Sequence, residues 1–228
     1  MTDTDPAYDA SGHRERLRAR LFEGGPEALH DHELIEYLLT LSIRRGDTKP
    51  LARRLLTEFG GVGPLLAADR DTLAKQGLGD TTIGVLKIAQ HVATRLIKRE
   101  VIERPVLSSW QALTDYLHVA MAHRLNESAR VLHLNTKNIL IRDEQVSEGS
   151  IDQATIYVRE VARRALELGS AAVILVHNHP SGDPAPSRQD IQLTKEIAAA
   201  LKPLGVAVHD HLIIGAQGHA SLRSLGLI

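Results

Sequence analysis

The spacing of apolar residues changes near residue 100. From His13 to about Ile97 it is helical throughout. Leu34, Ile35, Leu38, Leu39 and Leu41 form one stripe behind Asp31, which reads as the N-cap. A second helix starts at Thr48 with Pro50 in its first turn, carries Leu51, Leu55, Leu56 and Phe59, and stops at Gly60-Gly61. A longer one runs from Thr81 to about Lys98, after the stretch Leu73-Ala74-Lys75-Gln76-Gly77-Leu78-Gly79-Asp80. Residues 1–12 read as a flexible tail. The charged, proline-containing stretch 98–105 reads as a linker.

Beyond it, short apolar runs alternate with helical stretches. A helix is predicted over 111–123. Strands at 131–134 and 139–141 flank the polar turn 135–138, which is a hairpin pattern. A helix fits 154–168, and 171–176 is a short apolar run of the kind buried on both faces of a sheet. Residues 188–201 return to helical spacing, and 206–208 and 212–214 close the chain as two strands. The predicted architecture is a helical domain over 13–99, a linker at 100–106, and an α/β layered domain over 102–228.

Composition narrows the function classes. Apolar residues make up 43% of the 228 and aromatics only 3%, so the cores must be built from Leu, Ile, Val and Ala. A net charge of −1 makes no general case for nucleic acid or an acidic membrane as partner. The absence of cysteine removes disulfides, thiolate nucleophiles and Cys-type zinc sites, and it suits a reducing compartment. No segment approaches the roughly 18 apolar residues of a membrane span. Met1-Thr2-Asp3-Thr4-Asp5 is no export signal, so a cytoplasmic location and no membrane contact are expected.

The chemistry concentrates at His177-Asn178-His179-Pro180, followed by Ser187 and Asp190. Two histidines two apart at a strand end share one face, and in open α/β sheets ligands bind at the C-terminal ends of strands. The loop Pro180-Ser181-Gly182-Asp183-Pro184-Ala185-Pro186 is stiffened by three prolines and holds Asp190, on the next helix, at a fixed distance. Two imidazoles and a carboxylate are the donors zinc takes at a catalytic site, with the fourth position left to water. A bland account stands beside this one. A lone His-x-His is more often two partly exposed histidines, and Ser187-Arg188-Gln189-Asp190 is also a plain capping box. His209-Asp210-His211 is a second His-x-His without a following Ser-x-x-Asp, and it reads as structural or as support for the first.

Taken together, His-x-His-Pro, six residues, then Ser-x-x-Asp resembles the JAMM motif of the JAB/MPN metalloprotease superfamily. The fuller His-Asn-His-Pro-Ser-Gly-Asp-Pro-x-Pro-Ser-x-x-Asp resembles the RadC family in particular. The resemblance covers 102–228 and, more weakly, the helical half. It implies a JAB/MPN-type, cytidine-deaminase-like layered domain and a zinc-dependent peptidase or isopeptidase acting on a protein or peptide substrate. It further implies His177, His179 and Asp190 as ligands of one zinc ion, and Ser187 as support for the oxyanion. The superfamily places a general-base glutamate just before the first core strand, and Glu127 occupies that place, with Glu144, Glu148 and Glu160 as rivals. Asn178 departs from the commoner Ser or Thr between the histidines and agrees with the RadC-like subset.

Gln76-Gly77-Leu78-Gly79 between two helices resembles a helix-hairpin-helix, a DNA-backbone-binding element. Lys75, Lys87, Arg95, Lys98 and Arg99 could add attraction for phosphate, while Asp80 at the following helix start opposes it. A DNA-binding repair or recombination protein with a structural or vestigial metal site is therefore the alternative to a hydrolase. A zinc nucleobase deaminase shares the layered architecture, but it expects His-x-Glu and Pro-Cys-x-x-Cys, which a cysteine-free chain cannot supply. Neither oligomeric state nor substrate identity is legible.

Overall fold

Helical spacing along the first half becomes six helices in the computed structural model, which describes residues 10–102, 105–148 and 156–228. They are α1 (Ala10–Gly24), α2 (Asp31–Thr40), α3 (Lys49–Phe59), α4 (Val62–Ala67), α5 (Arg70–Lys75) and α6 (Asp80–Ile102). The chain divides into two units, Met1–His91 and Val92–Ile228. The first unit closes around Ile35, Leu39, Ala52, Leu55, Leu65, Leu73, Ile83 and Leu86. As predicted, α3 follows Thr48, has Pro50 in its first turn, and ends at Gly60 in the left-handed region, φ 79°.

Three boundaries differ from expectation. The cap of α2 is His30, whose extended backbone precedes the helix; Asp31 is the first helical residue, where its carboxylate complements the helix dipole. The Glu33 carboxylate accepts the His30 N–H at 3.0 Å. Leu41 lies beyond α2 and is exposed, so the apolar stripe ends at Leu39. The expected linker is helical through Ile102, because nothing before Pro105 breaks the helix. Residues 103 and 104, like most of the N-terminal tail, lie outside the described residues.

The second unit contains α7 (Trp110–Met121), β1 (Ser128–Leu134), β2 (Leu140–Glu148), α8 (Val158–Glu167), β3 (Ala172–Asn178), α9 (Arg188–Leu201), β4 (Ala207–Gly215) and β5 (Gly218–Ser221). The strands form one sheet in the order β2-β1-β3-β4-β5. Only β3 and β4 pair in parallel, joined by α9 as the crossover. The predicted hairpin is present. Asn135 Oδ1 accepts the N–H groups of Lys137 and Ile139, and Asn138 adopts φ 59°. Alternation sends Leu132, Leu134, Ile174, Val176, Leu212 and Ile214 against α7. Ala129, Val131, Val173 and Leu175 face α8 and α9 on the other side. With both faces covered, every residue of β3 is buried, as its unbroken apolar run requires.

The last two predicted strands are one. In β4 the register against β3 slips between Val208 and Asp210, which leaves His209 as an extra, bulged residue. One extra residue reverses the side-chain parity beyond it. Val208 faces the α8–α9 side with Val173, and the slip returns His211, opposite Leu175, to that same side.

Candidate metal centre

The parity reversal in β4 brings His211 to the face on which β3 ends in His177. The His177 ring is 3% exposed, at the mouth between β3 and the N-terminus of α9. His179 follows one residue beyond the strand, with its N–H bonded to Ile214 C=O at 2.9 Å. The proline-bearing loop then doubles back over β4. Gly182 donates to His179 C=O at 3.0 Å and accepts from Gln217 at 3.1 Å. This course depends on Gly215: a Cβ there would lie 2.2 Å from the Gly182 carbonyl oxygen.

The loop delivers Ser187 as the N-cap of α9. Its hydroxyl oxygen accepts the Asp190 N–H at 3.1 Å, while its O–H and its own N–H donate to Asp190 Oδ2 at 2.6 and 2.7 Å. Asp190 is thereby turned so that Oδ1 lies 3.3 Å from His177 Nε2, with Oδ2 3.8 Å from His179 Nε2. The two histidine Nε2 atoms are 3.0 Å apart. Ligand atoms of His177, His179 and Asp190 all fall within 4.8 Å of one another, the one such group among the described residues.

Hydrogen bonds on the far sides of the rings fix where the protons are. Thr194, one turn after Asp190, donates its hydroxyl to Asp190 C=O at 2.5 Å. Its oxygen must then accept from His211 Nδ1, 2.6 Å away. His211 is fully buried and its pKa is driven well below the ordinary value by that burial and by the neighbouring imidazoles, so it is neutral and its Nε2 carries a lone pair. That lone pair accepts from His177 Nδ1 at 2.8 Å. His179 Nδ1 donates to Asp183 C=O at 2.9 Å. Each ring therefore bonds outward through Nδ1, and the Nε2 atoms of His177 and His179 face each other. Burial lowers the His177 pKa to about 4, with the Asp190 charge opposing the shift, so a second proton on His177 does not relieve this contact near neutrality. A cation between them does. Tetrahedral ligands at zinc distances lie about 3.3 Å apart, close to the separations present, and the donor set of two imidazoles and a carboxylate fits that ion.

The remaining predicted residues fall as follows. Glu127 is half-buried, immediately before β1. Of its rivals, Glu144 holds Arg164 at 2.9 and 3.0 Å and Glu160 holds Arg163 at 3.0 Å; the Glu148 side chain lies outside the description. His209 bonds Asn138 rather than the cluster. Of the cations considered for phosphate, Lys87 turns inward to Leu66 C=O and Lys98 pairs with the buried Asp143. Asp80 accepts from Arg70. The spacing did not point to Thr194 or Asn178, although Thr194 stands four residues after Asp190 on one helix face. Among the described residues no helix is long and apolar enough to cross a membrane.

Sheet order, crossover helix and cluster together define the class: an α/β domain of the JAMM-superfamily fold, with a His-His-Asp group able to hold a metal. Residues 107–227 match the family described as RadC-like JAB domain. The chain is 51% identical over 213 residues to a UPF0758 protein of Rhodobacter capsulatus, covering 93% of this chain and all of the relative. It is 50% identical over 224 residues to a UPF0758 protein of Ruegeria pomeroyi, covering 98% and all of the relative. The chain belongs to the RadC family.

Proposed function

We propose that the protein is a zinc-dependent hydrolase of peptide or isopeptide bonds, with the metal held by His177, His179 and Asp190. The observation that carries this reading is the pair of Nε2 atoms 3.0 Å apart beside a carboxylate, with each ring bonded outward through Nδ1. The choice of an amide bond follows from the family resemblance. When bound, zinc supplies Lewis acidity to a water and to the scissile carbonyl. Glu127 accepts the proton of the attacking water and returns it to the leaving amine. Support for Glu127 is its place in the chain, two residues before Ala129, the register partner of His177. Ser187 swings its hydroxyl from Asp190 to the developing oxyanion, a contribution typically worth ~3 kcal/mol.

Metal analysis tests the assignment. Wild type and Glu127→Gln should each carry one zinc per chain, and His177→Ala close to none. Glu127→Gln should retain zinc while losing hydrolysis of any peptide that wild type cleaves. Equal zinc in wild type and His177→Ala would sink the scheme.

A further inference from the structure

We propose that Asn178, which lies between the two histidines and ligates nothing, is the positioning residue for Glu127. Its side chain is completely buried. Oδ1 accepts both the backbone N–H of Ser128 at 2.9 Å and its hydroxyl at 2.7 Å. Nδ2 donates to the backbone carbonyl of Asn126 at 3.2 Å. These three bonds fall on the residues immediately before and after Glu127, so one amide clamps the glutamate's backbone from both sides.

The amide is matched to this task. It offers an acceptor with two lone pairs and, on the same rigid plane, a donor. A serine or threonine has one oxygen on a shorter arm and cannot reach both flanks. The clamp also explains a local difficulty. Asn126 lies before the first residue of β1, so its carbonyl has no ladder partner on β3, and the side chain supplies one. The consequence lies in how the parts move. His177, Asn178 and His179 are consecutive, and Asn178 ties the Glu127 segment to them directly. The two histidine ligands and the proton acceptor are thus tied together at the end of β3, and a reacting geometry demands tolerances well below an ångström.

The inference rests on Glu127 acting at a metal held by the two histidines. The test uses the full chain loaded with zinc and acetohydroxamic acid as the probe. A hydroxamic acid chelates the metal through its two oxygens and passes its O–H proton to a carboxylate alongside, so its affinity reports where Glu127 stands. By titration calorimetry, Glu127→Gln should weaken the probe by about 10-fold or more, and Asn178→Ser by about fivefold, with zinc content unchanged in both. In the Glu127→Gln background, Asn178→Ser should cost less than about twofold, because the group it positions is gone.

The proposal is overturned if Asn178→Ser binds the probe like wild type, or loses the same factor in both backgrounds. Unchanged affinity in Glu127→Gln would be a different failure, removing Glu127 from the site and the proton-acceptor reading with it. Should Asn178→Ser not fold or not hold zinc, Ser128→Ala removes only one of the three bonds. It should retain zinc and weaken the probe about twofold, and only while Glu127 is present. No loss in that variant overturns the clamp as well.

Discussion

Two carbonyl oxygens set which nitrogens of three imidazoles donate outward. Asp183 C=O can only accept, so His179 donates to it from Nδ1; Asp190 C=O can only accept, so Thr194 donates and His211 is obliged to donate to Thr194. His177 then has a single way to bond His211, which leaves its Nε2 free for a metal. His211 thus acts on the ligand without touching the ion. His211→Ala should leave one zinc per chain at saturation but weaken affinity by about 10- to 100-fold, as read by competition with a chromophoric chelator. An unchanged affinity would show that the His177 tautomer needs no such support. The ligands themselves were legible in the sequence, since His-x-His and Ser-x-x-Asp are local patterns. Their support was not. Thr194 and His211 are 17 residues apart and meet only because of a slip in strand register.

Elements were legible where one period ran unbroken. β3, α3 and α9 kept theirs and were found with small errors at the ends. β4 did not. Its bulge at His209 and the polar Asp210, buried by bonds to Ser221, Arg223 and His211, split one strand into two apparent ones. β5 is too short, at four residues, to show alternation at all. α6 runs past its expected end because its charged last turn has the composition of a linker, although lysine, arginine and glutamate are good helix formers. At this scale Gly215, the last residue of β4, is the position most exposed to test. Its lack of a Cβ lets the loop after His179 cross, and the atom in the way is backbone, which cannot rotate aside. Gly215→Ala should push the loop off β4, cost about 1–3 kcal/mol of stability and lower zinc affinity together. Urea denaturation and the chelator assay would read the two effects. Wild-type values in both would mean the loop does not set the ligand geometry.

In the unit that bears the cluster, two apolar layers enclose the sheet, and the imidazoles of His177 and His211 are buried within it as neutral groups. That architecture followed from alternating strand and helix patterns, yet its pH response follows only from which histidines the fold buries. His177 has its pKa lowered to about 4 from an ordinary 6.5, chiefly by burial, and His211 is lowered in the same direction by burial and the neighbouring imidazoles. Once unfolded, both titrate near 6.5, so between the folded and unfolded values unfolding takes up protons. The stability they allow is complete above about 6.5 and falls as pH drops toward the folded value. For His177 alone the loss between pH 7.5 and 5.5 is ~1 kcal/mol, and His211 adds to it. The single tryptophan, Trp110, packs against the α7 core and reports on this unit. Its fluorescence in urea, with a chelator present to keep the protein metal-free, should give a midpoint that declines from pH 7.5 to 5.5. In His177→Ala the decline should be shallower, since one of the proton acceptors is gone. A midpoint independent of pH in wild type, or an equal slope in the variant, would show that His177 is not held neutral by its burial.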